Sequence, residues 1–497
     1  MSQSATFDPS TSKQILGHPA GLWTLFFTEM WERLSYYGMR GILVLFMVAT
    51  VSDGGLGYET ETAAAIYGLY TGFVYLLALP GGWIADKLWG QRKAVFVGGC
   101  IIAAGHFSMV IESEFFFFLG LILVCIGTGL LKPNVSTVVG ELYPEGGARR
   151  DAGFSVFYSG INIGALLGPI ICGFLGEKYD WHLGFSAAGI GMVFGLIQYK
   201  LGEKRLGTAG LYSEDDAGTP TYNKRRNSAY VVFGAVTLAA VAFGYAVYSG
   251  VFPITLTQIA ESLTYIILVL VALFFLYLLL QKSLNVTEKK RLGVIFFLFL
   301  AVAVFWSGFE QAGSSMNLFA NDYTDRMIGG WEMPTSWLQS VNPLFIILLA
   351  PVMGMVWTKL GSRSPSIPFK AFLGLLGLAV GFFVLAWGAS GATDGNLVSP
   401  NWLVVTYFFH TVGELCISPV GLSAITKLAP RGRVGQMMGV WFIGTALGNV
   451  YAGLVAGRLQ DLDPAPLFGA VGRNTLIAAV VALILVPVIR RLTVGIK

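Results

Sequence analysis

Apolar stretches of about twenty residues recur along the whole chain, and they constrain the fold more than anything else in it. A hydrocarbon core roughly 30 Å thick takes about 20 residues of α-helix to cross, and every backbone N–H and C=O must be satisfied inside the segment. Segments that meet this measure lie near residues 22–50, 62–86, 94–111, 115–140, 151–176, 183–199, 230–249 and 261–280. Six more lie near 292–320, 337–358, 369–388, 401–428, 434–457 and 474–489, giving fourteen spans. Only 12% of the 497 residues are charged, about half the share in a soluble domain. The reading is an all-α polytopic membrane protein. A net charge of +4 is too small to argue for nucleic acid.

Lys and Arg fix the orientation, because they concentrate in cytoplasmic loops. Lys178, Arg326, Arg458 and Arg473 fall on one side of the spans, and Arg33, Arg40 and Lys132 lie within them. All the rest of the 32 basic residues share the side of the two termini, so both termini are expected in the cytoplasm. The polar start "MSQSATFDPSTSKQ" has no basic n-region, so no cleaved signal peptide is expected.

The charge content of the spans suggests a parse of six, two and six. The expected units are a cytoplasmic N-terminal segment (1–21), a six-helix bundle (22–200), a cytoplasmic linker (201–229), an inserted helix pair (230–285) and a second six-helix bundle (286–497). Two bundles with a site between them near the midplane is a plan of secondary transporters. Cys100, Cys125, Cys172 and Cys416 lie in apolar segments without metal-ligand or disulfide spacing, and they read as small buried hydrophobes. No metal or cofactor is expected.

The first span holds "TEMWERLSYYGMR", residues 28–40. A charge left alone at the bilayer centre costs at least roughly 2.5–3.5 kcal/mol. Residues 29, 32, 33, 36, 37 and 40 follow helical spacing and form one stripe. That stripe must face protein or a water-filled cavity. A structural tie between helices would need fewer than six polar positions. Lys132 precedes Pro133 in the fourth span, and Glu310 and Glu414 lie in later ones. The buried cations are thus in the first bundle, and the second contributes buried anions. A cavity between them would suit a small zwitterion, such as a short peptide. Lys132 and Glu414 could also pair as a gate, and the two arrangements can alternate. Asn162 and Asn342 read equally as ligands or as interhelical glue. His410 reads as a packing residue rather than a proton relay. No GxxxxGK[ST] phosphate loop is present, so ATP hydrolysis is not the drive. Protons are the expected coupling ion, and charge alone leaves sodium open.

Two motifs carry a family resemblance. "GGWIADKLWGQRK" (81–93) resembles the loop between helices 2 and 3 of the major facilitator superfamily, where Asp86 and Arg92 would clasp helix ends. Glu29-x-x-Glu32-Arg33-Leu34-x-Tyr36-Tyr37-Gly38 resembles the ExxERFxYYG motif of the proton-dependent oligopeptide transporter family. "FYSGINIG" and the contexts of Lys132 and Glu414 are similar to that family too. The resemblance runs from about residue 20 to 490, and the extra helix pair fits its prokaryotic members.

The resemblance implies a major facilitator fold of 14 transmembrane helices and proton-coupled import of di- and tripeptides by alternating access. It implies proton coupling by Glu29, Glu32, Arg33 and Glu310, and capture of the peptide carboxylate by Arg33, Arg40 and Lys132. Glu310, Asn342 and Glu414 would hold the amino end, and Tyr36, Tyr37, Tyr75, Asn162, Trp306 and Trp441 would line the pocket. Leu34 replaces the motif's phenylalanine, and Gly68 stands where some relatives carry a histidine. A carrier of another zwitterion or anion, such as an amino acid or nitrate, is the alternative. An enzyme or receptor would need a catalytic constellation or a sizeable soluble domain, and neither is found. The expected partners are peptide, protons and the lipid of the cell membrane, with neither nucleic acid nor an obligate protein partner.

Overall fold

The computed structural model describes residues 13–212, 218–393 and 395–493. Residues 1–12 of the expected N-terminal segment, 213–217 of the expected linker and the last four residues lie outside the described residues. Within those described, fourteen long helices follow one another: α1 (Ala20–Val48), α2 (Thr60–Trp89), α3 (Gln91–Ser108), α4 (Glu114–Glu141), α5 (Gly147–Lys178), α6 (Trp181–Gly202) and α7 (Pro220–Tyr248). The second run is α8 (Leu256–Leu280), α9 (Val286–Asp322), α10 (Thr335–Leu360), α11 (Ile367–Ala389), α12 (Asn401–Leu428), α13 (Val434–Gly457) and α14 (Pro464–Leu492). Twelve of these are long and apolar enough to cross a membrane. The other two are α1, with four charges in its middle, and α3, which opens on Gln91, Arg92 and Lys93.

Odd and even helices run in opposite directions, so both described chain ends lie on one side, called here the terminal side. The other is the distal side. α1 packs along α5 and α6, and α3 along α4 and α6. In the second set α11 packs along α12 and α14, and α9 along α13 and α14. Glycines make several of these crossings possible. A Cβ on Gly98 would collide with α4 backbone, and one on Gly377 with α12 backbone.

The inserted helices differ in how they sit. α8 packs against α2 and α13 and so touches both sets. α7 stays exposed along its length and meets the rest through its terminal-side half. There the Tyr222 hydroxyl donates to Leu88 O at 2.9 Å, and the Phe233 ring lies 6.3 Å from that of Trp83. α7 begins at Pro220, ten residues before the expected boundary, so the 201–229 linker is shorter than expected. Thr219 caps it by accepting from Tyr222 N, and Pro220 occupies the first turn, a favoured N-terminal arrangement. The polar residues 220–229 extend this helix past its apolar stretch. Arg92 does not pair with Asp86. It donates to Ala209 O and Gly207 O of the linker, while Asp86 accepts from Gln91.

The two sets meet on the distal side. α2 crosses α13 so closely that a Cβ on Gly68 would lie 2.9 Å from Gly453 Cα. α5 meets the first turns of α10, where the Ser336 hydroxyl donates to Pro169 O, Trp337 Nε1 to Ile170 O and Ser340 Oγ to Leu166 O. On the terminal side α5 and α10 part. Ser155, Tyr158 and Ser159 of α5 are exposed, as are Val352, Met355 and Val356 of α10. The molecule is therefore closed distally and open toward its termini.

Candidate functional site

The polar stripe of α1 is fully built. Arg33 Nε lies 3.2 Å from Glu29 Oε1 and donates to Glu32 Oε2. Its guanidinium stacks 5.1 Å from the Tyr36 ring, and Arg40 lies 5.1 Å from the ring of Tyr37, positions favourable for cation–π attraction. All three ionisable partners are buried. Two carboxylates share one guanidinium, so the cluster as fully ionised carries net negative charge and has room for a proton. Glu29 Oε2 and Glu32 Oε1 are buried without a hydrogen-bond partner.

Two helical turns on from Arg33, Arg40 Nη1 donates to Glu310 Oε2 at 2.8 Å, and both side chains are buried. The pair joins α1 to α9. Glu310 occupies a break in α9, where an α-helix ends at Phe309, a 3-10 turn covers Glu310–Gly313 and helix resumes at Ser315. Irregular backbone at membrane depth is tolerated where it is buried in protein or lines a cavity.

Beside this pair lies a cavity of some 780 Å³ of empty space, part of it open to solvent. Arg40, Tyr37 and Asn162 form part of one wall, and Trp306, Asn342 and Glu414 form part of the other. Asn342 Nδ2 donates to Glu414 Oε2 at 3.2 Å and to the Thr411 hydroxyl at 2.9 Å, which fixes the carboxylate. The walls thus present a guanidinium on one side and a carboxylate on the other. Asn162 donates back to Tyr158 O at 2.9 Å, leaving its amide oxygen for other partners.

The structure gathers some of the expected residues here and leaves others out. Arg33, Tyr36, Tyr75, Lys132 and Glu310 stand outside the lining of this cavity. Trp441 is not a lining residue. Its ring is buried against Gly421 in the core of the second set. Glu310 spends its charge on Arg40 rather than facing the cavity free. Lys132 and Glu414 are not paired in this conformation. The ammonium lies 3.9 Å from the centroid of the Tyr75 ring, and Glu414 is held by Asn342. Cys100 is exposed, not buried, while the other three cysteines are buried. Tyr158, Gln339 and Tyr407 line the cavity and were not singled out from sequence. Only register marks them: Tyr158 lies one turn before Asn162, Gln339 one turn before Asn342 and Tyr407 two turns before Glu414. His410 also lines it, yet its ring edge packs on Gly381 of α11, as a packing residue does. Among the described residues no His, Cys, Asp or Glu cluster could hold a metal ion.

Two packed helix sets enclosing a charged midplane cavity, closed at one end and open at the other, define a polytopic membrane transporter. A sequence profile described as the POT family matches residues 92–471. The chain is 44% identical to a peptide transporter of Yersinia enterocolitica, over 99% of this chain and 98% of that one. It is 34% identical to a di-/tripeptide transporter of Lactococcus lactis, over 96% of each. A crystal structure of a peptide transporter POT in complex with sulfate superposes with a TM-score of 0.89 at 39% identity, covering 98% of this chain and 99% of that one. The chain belongs to the POT family.

Proposed function

We propose that this protein is a proton-coupled symporter that carries di- and tripeptides by alternating access. The names of its relatives supply the substrate class. One observation in the chain itself carries the reading: Arg40 and Glu310, from opposite helix sets, are ion-paired beside a cavity whose walls carry Arg40 and Glu414. A short peptide has a carboxylate to displace Glu310 from Arg40 and an ammonium to meet Glu414 and Asn342.

In this mechanism the distal-closed state releases its load to the terminal side. Protonation of Glu310 frees Arg40 to receive the peptide carboxylate. Glu29 and Glu32 share Arg33 and take up the coupling proton, and the Lys132–Glu414 pair forms when the terminal side closes. The two sets rock as six-helix bundles, with α7 and α8 as an insert. The excess of Lys and Arg on the terminal side supports cytoplasmic termini, and the reading takes the protein to act in the cell membrane. A membrane potential of 100 mV supplies about 2.3 kcal/mol per inward proton, enough to accumulate peptide.

Binding by the purified protein tests the site. An unblocked dipeptide should raise the thermal unfolding midpoint, and the same dipeptide acetylated and amidated should not. Equal effects would set aside a charge-read peptide site.

A further inference from the structure

Two side-chain amides of the second helix set converge on one backbone oxygen of the first. Asn317 Nδ2 donates to Gly41 O at 2.9 Å, and Gln339 Nε2 donates to the same oxygen at 3.2 Å. Asn317 lies in α9 just past its break, Gln339 in the first turns of α10 and Gly41 in the distal third of α1. All three are buried. α1 runs unbroken through Gly41, so this carbonyl already serves the N–H four residues on. The two amides are extra partners, and what they fix is the position of α1 against α9 and α10.

The clasp sits where the site and the distal gate meet. Gly41 directly follows Arg40, whose guanidinium pairs with Glu310 at the break of α9. It also faces the α5–α10 seam, where a Cβ on Gly41 would lie 3.4 Å from both Pro169 Cβ and Ser336 Cβ. Those two residues share one of the seam's own hydrogen bonds. Consecutive residues of α1 thus carry an ion pair and a neutral clasp to the opposite set. The clasp holds no charge and does not titrate.

The two amides differ in one respect. Gln339 lines the cavity together with Arg40, Asn162 and Asn342, whereas Asn317 lies outside its lining. Gln339 is at once part of the cavity wall and a donor across the distal gate. A peptide in the cavity presents main-chain carbonyls, acceptors of the same kind as Gly41 O. Turning the Gln339 amide from Gly41 to a peptide orphans nothing, because Gly41 O keeps its helix partner and Asn317. The costly step, leaving a buried polar group unpaired, is avoided.

We propose that Gln339 couples peptide occupancy to the distal gate. With Gly41 as its acceptor, it joins Asn317 in holding α1 against the second set, and the gate is shut. With a peptide carbonyl as its acceptor, half of that hold is lost and the distal-open state is favoured. The exchange runs both ways. Closing the gate takes one hydrogen bond from the peptide and lowers its affinity in the state that releases it to the terminal side. A ligand held better in one state draws the population toward that state, and the coupling is reciprocal. The coupling to peptide rests on the proposed function; the clasp does not.

Hydrogen exchange on the full-length protein in lipid nanodiscs, with and without dialanine, tests both parts. Without peptide, Asn317→Leu, Gln339→Met and Gln339→Leu each remove one donor. Each should raise exchange in segments 59–68 and 166–176 about fivefold, the effect of one net hydrogen bond. Each should also slow exchange in 147–158 and 349–360, as the terminal side closes. Saturating dialanine should shift the wild type and Asn317→Leu further in the same direction. Ser340→Ala, which removes a seam bond to Leu166 O, should keep that response. Both Gln339 variants should still bind dialanine, read as a raised thermal unfolding midpoint, yet show no further shift. Unchanged peptide-free exchange in the three variants, or a rise confined to the substituted turn, overturns the clasp. A dialanine shift of wild-type size in the Gln339 variants, or none in a wild type that binds it, overturns the coupling. A wild type that does not bind dialanine would count against the proposed function and the coupling together, while the peptide-free comparison still decides the clasp.

Discussion

Arg40 of α1 donates to Glu310 of α9 at 2.8 Å, and both side chains are buried. The pair crosses between the two helix sets beside the cavity, 270 residues apart in sequence. Removing one partner strands a buried charge and costs about 3–5 kcal/mol, whereas removing both costs less. Glu310→Ala should lower the thermal unfolding midpoint, and Arg40→Ala/Glu310→Ala should recover part of the loss. Both should abolish gradient-driven uptake. Equal midpoints for the single and double variants would mean that the pair is not coupled.

Glu32→Gln removes one of the two carboxylates that share Arg33 while keeping its shape. Uphill uptake should vanish, because the cluster can no longer cycle a proton. Exchange of internal for external peptide, which needs no net proton movement, should remain measurable. Loss of both would mark the stripe as a structural tie.

Asn342 fixes Glu414 through a hydrogen bond to the carboxylate, worth about 1.5–3 kcal/mol. Asn342→Ala should raise the KM for an unblocked dipeptide about tenfold or more. An unchanged KM would remove this pair from the amino-end site.

Gly68 touches Gly453 across the distal closure. A methyl group there would lie 2.9 Å from Gly453 Cα and 3.0 Å from Val450 O, so backbone must move. Gly68→Ala should hold the distal gate ajar and slow uptake, with increased exchange at 59–68. Wild-type turnover would show that the crossing has slack. The same contact leaves no room at this position for a larger side chain.

Much of the site was legible because α1 keeps a strict helical period, and the stripe from Glu29 to Arg40 needs no tertiary information. The sign separation of buried charges across the two sets was legible as well. What the sequence could not show was pairing between distant helices. Nothing local tells Glu310 that it meets Arg40 rather than the open cavity. Trp441 was misplaced for the same reason, since its partner Gly421 lies on another helix. The start of α7 was missed because hydropathy marks where lipid begins, not where helix begins. The Thr219 cap and Pro220 carried the true signal.

Uptake of a labelled dipeptide into proteoliposomes, with an imposed inward proton gradient, tests the central claim most directly. The account predicts accumulation above the external concentration, collapsed by a protonophore and absent in Glu32→Gln. Equilibration without accumulation, or accumulation that survives collapse of the proton gradient, would contradict it.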